Sequence, residues 1–317
     1  MISGILLIDK PEGVTSFEVV RQARRALGIR KIGHLGTLDP MATGLLPLCL
    51  LEATKLVPYL MPESKVYRAT VRLGVSTDTQ DATGTVVATS VALPSPEQVY
   101  QAAAALVGEV TQVPPMYSAL HSQGERAYRL ARRGEAVDLP SRTVTIYALT
   151  VDEVAIPEFT MTVRCSQGTY VRTLAKDLGD TLGCGAHLSA LRRLAVGALR
   201  VEEALSLAAL TELGREELES RIIPLVHCLP GLRPVEVGPA EARRLRQGQL
   251  LVRPADDLQD GEQVRVLADA TLVAVAQVRS LTPQMVLAPV RVFAGSEQEA
   301  VSSEQGGRAG VPPAGGV

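Results

Sequence analysis

Cysteine and histidine are scarce in the 317-residue sequence, which contains four of each. No two cysteines form a C-x-x-C pair, and the histidines lack a metal-binding spacing such as H-E-x-x-H. These absences argue against a zinc site or a redox dithiol, because both need closely spaced ligands. We therefore expect no zinc site or redox dithiol, and small buried thiols in a reducing cytosol. The cysteines are Cys49, Cys165, Cys184 and Cys228.

Long apolar segments are also missing. No run approaches the roughly 18 apolar residues that a membrane-spanning helix needs, and the opening "MISGILLIDKPEG" does not read as a secretory signal. We therefore expect a soluble cytoplasmic protein that has no membrane partner. The formal net charge of −2 excludes a uniformly basic nucleic-acid coat. It leaves room for RNA binding by a local basic face.

Hydrophobic residues make up 46% of the chain, enough for a sizeable core. "TSFEVVRQARRALG" predicts a helix that Thr15 caps and Gly28 ends. "KVYRATVRLG" predicts a strand with "TGTVVAT" as its hairpin partner. "SPEQVYQAAAALVG" predicts a second helix, with Gly108 as its stop.

The remaining patterns divide the chain further. "RTVTIYALTVDEV" and "EFTMTVRC" predict strands, "TYVRTLAKDLGDTLG" a helix, and "HLSALRRLAVG" a further short helix. Beyond Pro230, five short strand patterns predict a small β-barrel. From about Ala294 the composition predicts a disordered tail.

A single acid stands out in "GHLGTLDPMATGLLP". Asp39 lies before a proline in a stretch that is poor in charge. An Asp-Pro pair favours the start of a turn, so Asp39 could simply cap one. The alternative is a partly buried loop that holds one reactive carboxylate. Neighbouring glycines would allow tight turns, but no Gly-Lys-Ser/Thr follows them, so the stretch is not a phosphate-binding P-loop.

"CSQGTYVRTLAKDLG" contains an arginine that could pair with such a carboxylate. Arg172 lies in the first turns of the predicted helix, and Tyr170 would project with it if this stretch were still extended. A lone arginine is usually a solvated charge or a phosphate contact. An arginine that reaches a nearby carboxylate instead favours its ionised form, which suits an unprotonated nucleophile.

Two basic stretches suggest RNA. Residues 112–142 contain five arginines against three acidic residues, and Arg126, Arg129 and Arg133 share one face of a predicted short helix. Residues 164–200 contain five arginines and one lysine against two aspartates. Either stretch could be an ordinary solvated face, but tyrosines lie among the arginines, as in RNA-binding surfaces. "TDTQDATG" fails the calcium-loop pattern and predicts a polar hairpin turn.

These motifs occur in a familiar order. "DKPEGVTS", "GHLGTLDPMATGLLPLCL", "KVYRATVRLGVSTDTQDATG", "QVPPMYSALHSQGERAYRLARRGE" and "CSQGTYVRTLAKDLG" together resemble the bacterial TruB family, the tRNA pseudouridine-55 synthases. The resemblance runs from about Ile5 to Gly197. It implies an α/β (α+β) pseudouridine synthase fold, with a mixed, largely antiparallel sheet and flanking helices. It also implies a small C-terminal PUA-like RNA-binding barrel.

The resemblance assigns roles to residues. Asp39 becomes the catalytic carboxylate, Tyr67 the active-site tyrosine that stacks on the target base, and Arg172 the partner that keeps Asp39 ionised. Substrate binding would involve a further set of residues. That set is Lys10, His34, Tyr170, Leu191, Arg126, Arg129 and Arg133.

The resemblance also implies domains, partners and a reaction that needs no metal and no organic cofactor. We expect a catalytic domain at 1–230 with an RNA-binding insert at about 112–142, a PUA-like domain at 231–293 and a tail at 294–317. The expected partner is the T-arm of tRNA, bound by a monomer without an obligate protein partner. Rival interpretations are an RNA chaperone that needs no catalysis and a related enzyme acting on ribosomal RNA. Leu35, His121, Gln167 and Leu51 depart from the family pattern.

Overall fold

The computed structural model describes residues 2–60, 64–117, 121–122, 125–126, 133, 139–253, 258–281 and 284–294. The chain divides into a larger unit, Leu6–Leu48 and Val57–Arg221, and a smaller unit, Met1–Ile5, Cys49–Leu56 and Ile222–Val317. Residues 295–317 of the expected tail and most of the expected insert lie outside the described residues.

Seven α-helices occur among the described residues. They are α1 (Ser16–Leu27), α2 (Val57–Leu60), α3 (Pro96–Ala104), α4 (Val171–Thr181), α5 (Ala209–Glu212), α6 (Arg215–Ser220) and α7 (Pro239–Arg246).

The strands of the described residues form two large sheets and two small hairpins. They are β1 (Gly4–Lys10), β2 (Ile32–His34), β3 (Thr43–Leu50), β4 (Lys65–Leu73), β5 (Val75–Thr77), β6 (Val86–Thr89), β7 (Gly108–Gln112), β8 (His121–Ser122), β9 (Glu125–Arg126), β10 (Arg142–Ala155), β11 (Glu158–Cys165), β12 (Ala186–Val196), β13 (Leu199–Arg200), β14 (Leu205–Ser206), β15 (Ile223–Pro224), β16 (Arg233–Glu236), β17 (Leu251–Arg253), β18 (Gln263–Ala268), β19 (Thr271–Leu281) and β20 (Gln284–Val292).

The main sheet has the order β14-β1-β3-β12-β4-β11-β10-β7. The pairs β12–β4, β4–β11, β11–β10 and β10–β7 are antiparallel. Strand β12 pairs with β3 in parallel. Helices such as α1 and α4 accompany it, each burying an apolar stripe. The mixed α/β fold expected from the sequence is confirmed. The centre of the sheet, where β3, β12 and β4 meet, carries the residues described below.

Helix α1 shows how local sequence sets an element's ends. The side chain of Thr15 accepts a hydrogen bond from the backbone nitrogen of Glu18, which satisfies a free donor of the first turn. Gly28 closes the helix in the left-handed conformation that glycine adopts without strain. Both predicted boundaries are confirmed. Helix α3, by contrast, ends at Ala104 and not at Gly108, which begins β7.

Two sequence predictions about strands are wrong. "HLSALRRLAVG" forms strand β12 and not a short helix, and two register shifts interrupt its pairing with β4. These irregularities break the strict alternation that marks a strand in sequence. "TGTVVAT" supplies β6, which pairs β5 and not β4. Strand β4 has no edge left for it, because β12 and β11 occupy both sides.

The smaller unit contains a five-stranded sheet in the order β16-β18-β19-β20-β17. Arg253 on the edge strand β17 donates to the carbonyl oxygen of Glu236 on the opposite edge strand β16, at 3.2 Å. The two edges therefore approach each other, as in a half-barrel. Helix α7 packs on this sheet through Ala242 and Leu245, and was missed by the sequence analysis.

Candidate active site

The loop that carries Asp39 joins β2 to β3 and is fixed on both sides of that residue. The hydroxyl of Ser16 donates to the carbonyl oxygen of Leu38 at 3.0 Å and accepts from its nitrogen at 2.9 Å. The nitrogen of Gly13 donates to the carbonyl oxygen of Pro40 at 2.8 Å. The start of α1 therefore holds the backbone of the loop, and the Asp39 side chain is left for other contacts.

Lys10 supports the same loop from below. Its Nζ donates to the carbonyl oxygens of Val14 at 2.6 Å, Pro11 at 2.9 Å and Pro40 at 3.2 Å. The residue is fully buried, and that burial lowers the pKa of Lys10 to about 8, against the attraction of Asp39 and Glu12. Lys10 thus acts on the loop through backbone carbonyls.

Arg172, on the first turn of α4, contacts two carboxylates and two backbone carbonyls of the site. Its Nε lies 3.0 Å from Oδ2 of Asp39, and its Nη1 lies 3.3 Å from Oδ2 of Asp81. Nη1 also donates to the carbonyl oxygen of Thr79 at 3.1 Å, and Nη2 to that of Tyr117 at 2.9 Å. The arginine side chain is 4% exposed and the Asp39 side chain 39% exposed. The guanidinium is therefore locked in place beside a carboxylate that a ligand can reach.

Asp81 is a site residue that sequence reasoning missed. Its Oδ1 accepts hydrogen bonds from the hydroxyls of Thr79 at 2.7 Å and Thr83 at 2.6 Å, and from the Thr83 nitrogen at 3.0 Å. The "TDTQDATG" turn is therefore more than a polar hairpin. Its local pattern reports only the turn, because the partner Arg172 is 91 residues away in sequence.

Burial and neighbouring charges together determine the pKa of Asp39. Burial raises the pKa of the Asp39 carboxyl, and the charge of Asp81 adds to that rise. The charges of Arg172 and Lys10 oppose it. Arg172 thus favours the ionised carboxylate, in surroundings that favour the neutral acid.

Tyr67 and Leu191 lie on one face of the β4–β12 pair. In this antiparallel register, Tyr67 is opposite Arg193 and Ala69 is opposite Leu191, so their side chains share a face. Tyr67 and Leu191 are each 8% exposed. Burial raises the pKa of the Tyr67 phenol, and the charge of Arg193 lowers it. The arrangement forms an apolar wall with one polar oxygen.

Tyr170 occupies the N-cap position of α4, two residues before Arg172, and its side chain makes no capping hydrogen bond. Its nitrogen donates to Oε1 of Gln112 at 3.0 Å, and its carbonyl oxygen accepts from Nε2 of Gln112 at 3.3 Å. The Arg142 guanidinium stacks over its ring, 5.4 Å from the ring centroid. The half-buried ring is therefore fixed near the start of α4.

The structure describes only some of the remaining predicted residues. His34 is half-buried at the end of β2; burial, and then the charge of Arg193, lower the pKa of its imidazole. Its Nδ1 has no hydrogen-bond partner among the described residues. Arg133 is exposed. Arg129 and the side chain of Arg126 lie outside the described residues, so their predicted RNA contacts stay predictions.

No group of three or more His, Cys, Asp or Glu side chains that could hold a metal ion occurs in the described part of the chain. Over the same residues, no helix combines the length and apolar character needed to cross a membrane.

Two family models together match residues 24–237. A family model described as "TruB family pseudouridylate synthase (N terminal domain)" matches residues 24–171. A second, "tRNA pseudouridylate synthase B C-terminal domain", matches residues 172–237.

Individual proteins are similar over most of the chain. The tRNA pseudouridine synthase B of Burkholderia pseudomallei (strain 668) is 45% identical over 298 residues, covering 92% of this chain and 97% of the relative. Its namesake from Syntrophus aciditrophicus (strain SB) is 44% identical over 284 residues, covering 87% and 91%. A chain of a solved Cbf5-Nop10-Gar1 complex is 26% identical with a TM-score of 0.71, covering 93% of this chain and 86% of that chain.

The fold and these similarities define a pseudouridine synthase, an isomerase. With 45% identity across 92% of its length, the chain belongs to the TruB family.

Proposed function

We propose that the protein isomerises uridine 55 in the T-loop of tRNA to pseudouridine, with Asp39 as the catalytic carboxylate. The single observation that carries this proposal is the pair formed by the reachable Asp39 and the buried Arg172, 3.0 Å apart. A buried guanidinium favours the ionised carboxylate that a nucleophile or base must be. The matching relatives are named for tRNA, which supports tRNA as the substrate class.

The reaction sets demands that these residues fit. The N1–C1′ bond of the uridine breaks, the detached uracil turns, and a C5–C1′ bond forms. The proton leaves C5, and N1 gains a proton. The detached base must be retained throughout, which suits the apolar wall of Tyr67 and Leu191. Asp39 could attack C1′, attack C6 or abstract the proton at C2′, and its position beside Arg172 serves each route.

The target base must leave its stack before it reaches Asp39. Extrusion of a base costs a few kcal/mol, which contacts with the RNA must offset. We assign His34 to the space that the base vacates, and Tyr67 and Tyr170 to stacking and to lining the pocket. Arg126, Arg129 and Arg133 would contact phosphates, which position the RNA without reading its sequence.

The partners and domains are part of the same proposal. We assign RNA binding to a PUA-like segment at 231–293 and expect a monomer that needs no protein partner. One similar chain comes from an H/ACA RNP bound to a substrate RNA, and another comes from a Cbf5-Nop10-Gar1 complex. A monomer with full activity on free tRNA would separate this protein from such assemblies.

The test is tritium release from tRNA transcript labelled at C5 of uridine, with the wild type and Asp39→Asn side by side. We expect release by the wild type alone, mapping to the T-loop, and tRNA binding by both proteins. No release by the wild type, with tight tRNA binding and refolding retained, would reject the enzyme in favour of the chaperone interpretation. Loss of binding by Asp39→Asn would mean that Asp39 is structural.

A further inference from the structure

Arg193 is a fully buried cation beneath the candidate active site. Its side chain has no carboxylate within salt-bridge distance among the described residues, although burying a charge without an opposite charge is costly. Its Nε instead donates to the carbonyl oxygen of Leu45 at 2.7 Å, and its Nη2 to that of Gly36 at 3.0 Å. Gly36 and Leu45 lie on either side of Asp39, so the guanidinium closes the Asp39 loop upon itself.

The same side chain faces Tyr67. Arg193 is directly opposite Tyr67 in the β12–β4 register, and both side chains are buried on the shared face. A cross-strand pair on one face brings its two side chains close together, so the guanidinium is within reach of the phenolic oxygen. Against the rise that burial causes, the charge of Arg193 lowers the pKa of the Tyr67 phenol.

The chemistry of the two groups fixes the direction of any hydrogen bond between them. A guanidinium only donates, so the Tyr67 oxygen must accept from it. The hydroxyl proton of Tyr67 is then left for an acceptor on the substrate side. When the phenol loses its proton, the nearby positive charge stabilises the resulting phenolate. Arg193 therefore sets both the orientation and the proton affinity of Tyr67.

We propose that Arg193 is a positioning residue that fixes the Tyr67 hydroxyl and links it to the Asp39 loop through the carbonyls of Gly36 and Leu45. The proposal rests on the proposed function, because it assigns Tyr67 a part in the isomerisation. An alternative is that Arg193 only stabilises the fold.

A double-mutant cycle separates these roles. Single-turnover rates of pseudouridine formation would be measured for Arg193→Lys, Tyr67→Phe and the double variant. We expect Arg193→Lys to slow the reaction about tenfold or more, within the range of a misplaced acid or base. In the Tyr67→Phe background, the same change should cost less than about threefold, because coupled residues are not additive. An equal loss in both backgrounds would overturn the proposal.

Arg192→Lys is the matched control. Arg192 is the neighbouring residue on β12, and its side chain is 41% exposed and pairs with Asp9 at 2.7 Å. It should leave the rate within about twofold of the wild type, as expected for a partly exposed ion pair. Thermal denaturation of every variant shows whether a slow rate reflects loss of folded protein.

A second readout needs no activity. The chain contains seven tyrosines and no tryptophan, and protein labelled with fluorotyrosine gives a fluorine resonance for Tyr67 that Tyr67→Phe identifies. We expect Arg193→Gln to move that resonance and shift its titration to higher pH, whereas Arg192→Gln leaves it in place. An unchanged resonance would reject the contact itself. A moved resonance in a protein without synthase activity would reject the proposed function and leave the contact established.

Discussion

At the scale of single residues, the site depends on one arginine that serves two carboxylates. Arg172 contacts Asp39 through Nε and Asp81 through Nη1. Only the Asp39 side chain is substantially exposed, at 39% against 5% for Asp81. The Asp81 side chain is therefore shielded from a ligand by its burial. It holds the guanidinium in position, and its charge adds to the rise in the pKa of Asp39.

Asp81→Asn should slow pseudouridine formation about tenfold to a hundredfold, since small misplacements of catalytic groups carry penalties of that size. Asp81 raises the pKa of Asp39, so its removal lowers that pKa. The acidic limb of the pH–rate profile should therefore move to lower pH. Single-turnover rates across the acidic range measure both effects.

Asp78→Asn provides the control in the same turn. Asp78 is exposed, and its Oδ1 accepts from the backbone nitrogen of Thr85 at 2.8 Å. This variant should keep the wild-type rate and profile. If Asp81→Asn behaves like Asp78→Asn, then Arg172 does not need its second carboxylate.

Lys10 gives the protein a specific pH dependence of stability. Burial lowers the pKa of Lys10 from 10.5 to about 8. Between those values the unfolded chain binds more protons than the folded protein at this residue, so its contribution to stability rises with pH. Urea unfolding from pH 7 to alkaline pH would show that rise in the wild type relative to Lys10→Met. A difference between the two proteins that stays constant with pH would contradict the shift.

At the scale of elements, the parallel pairing of β3 with β12 brings Arg193 to the start of β3, close to the Asp39 loop. Gly44 pairs with Arg193 in the parallel register and adopts φ +99°. A Cβ at this position would overlap the carbonyl oxygen of Arg193 and lie 2.7 Å from its nitrogen. The close approach of the two backbones therefore requires glycine.

Gly44→Ala should cost at least about 3 kcal/mol in unfolding free energy, from overpacking and backbone strain together. Gly28→Ala is the comparison, because Gly28 also has a positive φ, of +67°, but its added Cβ would meet no atom within 4 Å. It should cost only about 1 kcal/mol. Urea denaturation measures both. Equal losses would mean that strain alone, and not contact with β12, explains the need for glycine.

The elements of the site also show what could and could not be predicted from the sequence. Regular patterns such as α1 were assigned correctly because their caps and periodicity are local. Strand β12 was taken for a helix because its register shifts hide the alternation. Asp39 and Arg172 were linked through family resemblance. The roles of Asp81 and Arg193 were not predicted, because each acts through a contact with a residue distant in sequence.

At the scale of the whole molecule, the smaller unit is built from separated parts of the chain. Residues Cys49–Leu56 belong with Ile222–Val317. Nζ of Lys55 donates to the carbonyl oxygen of Val292 at 3.1 Å, and the nitrogen of Ala294 donates to Oε2 of Glu52 at 3.1 Å. Phe293, beneath Lys55, is 1% exposed. A cut at 230, the boundary expected from sequence, would therefore remove the buried Phe293 and two hydrogen-bond partners of residues 49–56.

A chain ending at Pro230 should consequently unfold at a lower temperature than the full-length protein. Each buried polar group left without its partner costs about 1–3 kcal/mol, and the apolar surface that covered Phe293 becomes exposed to water. Thermal denaturation compares the two chains, and a full-length Phe293→Ala variant tests the packing alone. If the shortened chain keeps the full-length melting temperature, then residues 49–56 do not depend on the C-terminal strands. Residues 1–230 would in that case be a domain that folds by itself.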